Sequence, residues 1–121
     1  MPIERLTSRA LRVLINGGIK TKNTCVIKFY APACQLCHAL QGTYHRIADD
    51  PAYKDVRFFA FNIYDHRDID VELGFKGTPT IILLKTGEEE PNIQILPEPI
   101  VPHPKTWYTD LDITHFLKDN I

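Results

Sequence analysis

Cysteine, tryptophan and glycine are scarce in this 121-residue sequence, which has three, one and six of them. Three cysteines cannot all pair within one chain, so a disulfide-stapled framework is excluded. Long apolar runs are also missing. Thr80 to Leu84 is typical of those present, far short of the roughly 20 residues needed to cross a bilayer, so no membrane partner is expected. Neither sign of charge is in excess: fourteen basic residues face fifteen acidic ones. With no block of Lys and Arg, nothing resembles a nucleic-acid footprint. The start, Met1-Pro2-Ile3-Glu4-Arg5, has no continuous apolar stretch; no secretory signal is read there, and the expected location is a reducing cytoplasm. There is no internal repeat or low-complexity tract.

What is present is ordinary globular usage, 24% charged and 44% hydrophobic, in a length suited to one domain over 1–121. Ile3 to Leu6 reads as a short strand and Thr7 or Ser8 as the cap of a helix carrying Ala10, Leu11, Leu14 and Ile15. The alternative is a single helix from Ile3 to Ile15, because Ile3, Leu6, Ala10, Val13 and Leu14 also fit a 3.6 period; strand then helix is preferred. Cys25 to Tyr30, rich in β-branched and aromatic residues, predicts a central strand buried on both faces. After Ala31-Pro32-Ala33, helical spacing of Leu36, Cys37, Leu40, Tyr44, Ile47 and Ala48 predicts a helix beginning at Cys34, with a possible kink at Gly42.

Val56 to Ile63 is a second buried strand, followed by a short helix opened by Asp65 or Asp68 and ending near Gly74. Thr80 to Leu84, the turn Lys85-Thr86-Gly87 and a weaker return strand Asn92 to Leu96 predict a hairpin. Five prolines between Pro91 and Pro104 suit no helix interior, so a proline-rich loop insertion is expected within about 88–109. Thr109 and Asp112 form a capping-box pattern before a closing helix whose apolar face carries Leu111, Ile113, Phe116 and Leu117. Trp107 and Tyr108 are expected to pin the loop to the core. Cys25 reads as a small buried hydrophobe, and His66, His103 and Glu88-Glu89-Glu90 as solvated.

Cys34-Gln35-Leu36-Cys37 carries the chemistry. At a helix start, backbone N–H groups lack partners and the macrodipole is positive, which stabilises a thiolate. A free thiol of pKa about 8.5 is only ~3% ionised at pH 7, whereas one lowered to about 7 is half ionised. The spacing also places Cys37 close enough to resolve a mixed disulfide. Zinc would need a second pair of ligands, and neither His38 nor His45 completes such a pattern.

Phe29-Tyr30-Ala31-Pro32-Ala33-Cys34-Gln35-Leu36-Cys37-His38-Ala39-Leu40 resembles the active-site segment of thioredoxins and of protein disulfide isomerase domains. Gly74-Phe75-Lys76-Gly77-Thr78-Pro79-Thr80-Ile81-Ile82-Leu83-Leu84-Lys85-Thr86-Gly87 is similar to the thioredoxin stretch around its cis-proline. The resemblance implies a thioredoxin-like α/β sandwich, with a central mixed sheet flanked by helices. It implies thiol–disulfide exchange on protein disulfides, with Cys34 attacking, Cys37 resolving and Pro79 cis. Thr78 would offer its backbone to an extended substrate, beside Ala33, Gln35 and Leu36. No bound cofactor or metal is implied beyond the Cys34–Cys37 disulfide; a reductase or glutathione would recycle it, and the protein is expected to be a monomer.

Two departures stand out. The family's buried Asp or Glu six residues before the first cysteine is Lys28 here, which as a charged neighbour would favour thiolate and a more oxidising dithiol, or when neutral could serve as a base. Alternatively its stem packs in the sheet while the ammonium reaches solvent. The family's tryptophan before the first cysteine is Ala33. Two other functions remain open on these residues: a binding module with dispensable redox activity, and a metal or iron–sulfur site of the glutaredoxin-like kind.

Overall fold

The β-branched and aromatic run over 24–30 does become the middle of a sheet, and everything else is arranged around it. Residues 3–121 are described by the computed structural model. Its elements are β1 (Glu4–Arg5), α1 (Ser8–Ile15), β2 (Thr24–Tyr30), α2 (Gln35–Ala48), β3 (Val56–Asn62), α3 (Ile69–Leu73), β4 (Thr80–Lys85), β5 (Asn92–Ile95) and α4 (Asp110–Asn120), with short 3-10 turns at Pro51–Tyr53 and Ile63–Asp65. The sheet order is β1-β3-β2-β4-β5. β1 and β2 run parallel to β3, whereas β4 is antiparallel to both β2 and β5.

Side chains alternate across each strand, so the two faces of the sheet build two separate cores. Val26, Phe58, Ile81 and Leu83 pack with Leu40, Tyr44 and Ile47 of α2 and with Ile113, Phe116 and Leu117 of α4. Cys25, Ile27, Phe29, Phe59, Phe61 and Ile82 pack on the other face with Leu11 of α1 and Ile69 of α3. The result is the α/β sandwich expected of the sequence, a mixed sheet between helical layers.

The strand-then-helix reading of the first segment holds, because Thr7 has extended backbone and its side chain accepts from the Ala10 N–H, ending the strand and starting α1. The capping box at α4 forms in full: the Thr109 hydroxyl accepts the Asp112 N–H at 3.2 Å and the Asp112 carboxylate accepts the Thr109 N–H at 2.8 Å. α2 runs unbroken through Gly42.

Several expectations are corrected. Asp68 opens α3 as its N-cap residue, as expected, but its side chain makes no capping hydrogen bond, and Asp65 takes no part. Asp65 instead accepts from the Arg5 guanidinium at 2.7 Å, and Asp68 sits at φ 61, outside the extended region from which a side chain reaches back over a helix start. Leu111 lies on the outer face of α4 and is exposed, so the buried face is Ile113, Phe116 and Leu117 alone. His66 is not a solvated loop residue: its side chain is 18% exposed and Nε2 lies 3.5 Å from the Glu72 carboxylate, drawn in by α3. Within 88–109, β5 pairs with β4 over 92–95, as expected of the return strand, and the proline-rich stretch follows it.

That loop is pinned as its aromatics suggest. Tyr108 is buried and donates from its hydroxyl to the Leu96 carbonyl at 3.2 Å. Trp107, at φ 66, packs against the α2–α4 core and pairs with His103 as an isolated bridge. Between these anchors Ile100 and Val101 stand exposed.

Candidate functional site

β2 ends at Tyr30, and Ala31-Pro32-Ala33 carries the chain from the sheet to the start of α2. Cys34 is the N-cap of that helix, one position before its first turn, with extended backbone (φ −80, ψ 105). Its Sγ accepts the Cys37 N–H at 3.1 Å, so sulfur takes the place that a serine or aspartate oxygen fills at other helix starts. A negative charge on this sulfur therefore meets both an oriented N–H and the positive end of a 14-residue helix. Cys34 and Cys37 are joined by a disulfide, their Cα atoms 5.2 Å apart.

The two sulfurs are not equivalent. Cys34 is partly exposed, whereas Cys37 is 2% exposed. Ala33 and Gln35 flank Cys34 on the open surface, and Leu36 is half-buried. His38, the next residue of α2, donates from Nε2 to the Pro32 carbonyl at 2.7 Å, bracing the turn that presents Cys34; since a carbonyl only accepts, the Nε2 proton is assigned by this contact.

The second motif lies opposite. The Thr78–Pro79 peptide bond is cis, and the Thr78 carbonyl oxygen is 3.7 Å from the Cys34 Sγ. The loop is held from behind by Phe75, which packs on Phe29 of β2 with ring centroids 4.9 Å apart, and by the Thr80 hydroxyl, which donates to the Gly77 carbonyl at 2.9 Å. Ala33, Cys34, Gln35, Leu36, Thr78 and Pro79 thus come together around one sulfur. The Phe75 anchor was not singled out from the sequence, although an aromatic between Gly74 and Gly77 is a local signal that could have found it.

Lys28 is on the opposite side of the dithiol. The register Lys28↔Ala60 and Lys28↔Ile81 sets it mid-sheet, on the face covered by α2. It is 4% exposed: α2 covers the stem, and the ammonium lies at the inner end of a cleft beside that helix. Burial pushes its pKa down to about 8. Its Nζ stands 5.1 Å from the centroid of the Tyr44 ring, and both residues share a cavity of about 180 Å³ with Cys37. Tyr44 escaped notice as a site residue, yet its place two helical turns beyond Cys37 put it on the same face of α2.

Cys25, the remaining thiol, is buried at 2% exposure on the opposite face of β2, and burial raises its pKa. Among the described residues no group of three or more His, Cys, Asp or Glu side chains converges as metal ligands, and no helix is long and apolar enough to cross a membrane.

Comparison with known proteins agrees with this geometry. The thioredoxin family model matches residues 9–96, which takes in β2, α2, the Thr78–Pro79 loop and the hairpin. The chain is 29% identical over 75 residues to a thioredoxin of Malassezia sympodialis, covering 62% of this chain and 69% of that protein. It is 28% identical over 75 residues to a protein disulfide-isomerase of Schizosaccharomyces pombe, of which the match spans 15%. Among solved structures, oxidised mitochondrial thioredoxin 3 of Saccharomyces cerevisiae superposes with a TM-score of 0.66 at 25% identity, covering 97% of this chain and 94% of that one. The chain belongs to the thioredoxin family of thiol–disulfide oxidoreductases.

Proposed function

We propose that Cys34 is the attacking thiol, Cys37 the resolving thiol, and that the protein exchanges disulfides with extended polypeptide segments laid against Thr78. The difference in exposure between the two sulfurs carries this reading: only Cys34 offers a sulfur to an incoming substrate, while Cys37 is shielded behind it. The Cys34 thiolate attacks a substrate disulfide, forming a mixed disulfide and expelling one substrate sulfur as thiolate. Cys37, having lost its proton, then attacks the Cys34 sulfur. The Cys34–Cys37 bond forms, the second substrate sulfur leaves, and two electrons have passed to the substrate. The steps reverse when the substrate is a dithiol.

The Thr78 carbonyl beside Cys34 suits main-chain pairing with an extended substrate, and Ala33, Gln35 and Leu36 form the opposite lip. Lys28, charged behind Cys37, favours the thiolate and hence the reduced dithiol. An upstream reductase or glutathione returns the oxidised protein to the dithiol, and a monomer acting in a reducing compartment fits the accessible Cys34 sulfur.

The test is trapping. Cys37→Ser should accumulate a mixed disulfide through Cys34 with a reporter protein disulfide, whereas Cys34→Ser should form none and lose insulin-type disulfide reduction. Equal trapping through either residue overturns the assignment of roles. Full cellular complementation by Cys34→Ser would instead favour a binding module whose dithiol is dispensable.

A further inference from the structure

Lys28 presents a physical problem that its neighbours leave unsolved. An ammonium has three N–H donors and a full charge, and burying either without partners is costly. Among the described residues the Lys28 ammonium has neither a hydrogen bond nor an ion pair, and the face of the Tyr44 ring is what it stands against. A ring face supplies roughly 0.5–2 kcal/mol to a cation and no lone pair in the plane of a hydrogen bond.

The cavity beside it has room for such a partner. Its volume of about 180 Å³ exceeds several times the ~30 Å³ share of one water in the liquid. β2 contributes Lys28 and the Tyr30 phenol; α2 contributes Cys37, His38, Tyr44 and His45, with the Gln41 amide between them; β3 adds only Ala60. No carboxylate is among these residues, and Asp49, whose charge acts on His45, lies outside the lining. Tyr44 cannot turn its hydroxyl inward, because it already donates to the Phe59 and Val26 carbonyls at 2.7 and 3.2 Å.

We infer that this cavity is a binding site for a small anion, a halide or a carboxylate of acetate size, held by the Lys28 ammonium directly behind the resolving cysteine. The Gln41 amide and the Tyr30 hydroxyl can add donors, and Cys37 forms the wall toward the dithiol. Occupation has a consequence at the active site. An anion there offsets the Lys28 charge, and it repels a thiolate on the far side of the wall, so it binds the disulfide form more tightly than the dithiol. By reciprocity, the anion must shift the dithiol–disulfide equilibrium toward the disulfide by the same factor.

Binding should weaken as pH rises through about 8, where Lys28 gives up its proton. Since anion and proton stabilise each other, a bound anion should in turn raise the pKa of Lys28. This inference concerns the oxidised protein at rest and does not depend on which cysteine attacks substrate.

Chloride and acetate are the probes, titrated into the oxidised full chain with ionic strength held constant by a HEPES salt as the reference. Backbone and lysine side-chain NMR is the readout. Saturable shifts at Cys37, Gln41 and Tyr44 are expected, together with an anion-dependent rise in the Lys28 titration midpoint and loss of the saturable shifts in Lys28→Met. The wild-type Lys28 titration keeps the test decisive even should Lys28→Met fold poorly. Shifts that are linear in salt, that persist unchanged in a folded Lys28→Met, or a Lys28 midpoint indifferent to chloride and acetate overturn the site and leave a cavity filled by water. Trapping through Cys34 stands or falls separately from these outcomes.

Discussion

The ammonium of Lys28 stands over the ring of Tyr44, 5.1 Å from its centroid, in the layer between sheet and helix directly behind the dithiol. Neither side chain is free to leave. Lys28 is flanked by β3 and β4 and covered by α2, while the Tyr44 hydroxyl is tied to carbonyls of β2 and β3. The ring attracts the cation, but loss of hydration outweighs that attraction, which is why the pKa of Lys28 falls to about 8 rather than rising.

That shift makes stability depend on pH with a defined sign. The unfolded lysine holds its proton up to its ordinary pKa of 10.5 and the folded one only to about 8, so unfolding takes up a proton between these values and stability rises with pH across them. Below pH 8 the buried charge costs its full amount, on the order of 3 kcal/mol. Lys28→Met should therefore be more stable than wild type at pH 7 by up to that amount, with the gap closing between pH 8 and 10.5. Urea unfolding at graded pH checks it; a gap constant across the range would contradict a depressed Lys28. The comparison with wild type cancels Cys25 and Tyr108, whose raised pKa values act in the opposite direction at alkaline pH.

The same charge acts on redox poise. Removing it withdraws support from the thiolate form, so Lys28→Met should hold its disulfide more firmly. A shift of roughly 30 mV toward more negative potential corresponds to about 1.4 kcal/mol. Equilibration in graded glutathione buffers measures it, and a potential identical to wild type would remove Lys28 from the redox machinery.

Tyr44→Phe removes only the hydroxyl, leaving the Phe59 and Val26 carbonyls short of a donor inside the core. A loss of about 1–2 kcal/mol in stability is expected. Thermal unfolding of the oxidised form tests this; an unchanged midpoint would mean that the hydroxyl contributes nothing net.

Ala33 leaves a small, exposed side chain where the family carries an indole beside the attacking sulfur. Ala33→Trp should enlarge the apolar surface next to Cys34 and change kcat/KM unequally among protein disulfides, while leaving stability within about 0.5 kcal/mol. Parallel rates on three structurally different disulfide substrates decide it, since a uniform change would show that position 33 does not select.

Much of this molecule is decided by near neighbours along the chain. The continuous β-branched and aromatic runs of β2 and β4 and the period-3.6 patterns of α1, α2 and α4 are local features, and capping at Thr7 and Thr109 needs partners only three residues away. For the same reason, the Cys34-Gln35-Leu36-Cys37 chemistry is legible without coordinates: the N-cap position and the three-residue spacing are local facts.

What tertiary structure alone decided are the relations between segments that the chain brings together from afar. Thr78 meets Cys34 across 44 positions, the Tyr108 hydroxyl closes the proline-rich loop onto Leu96, and α2 packs over the Lys28 stem beside Cys37. A lysine in a strand is equally consistent with an ammonium that snorkels outward and one shut inside. Which of the two occurs depends on the helix packed over it, and pattern along one strand carries no information about that cover.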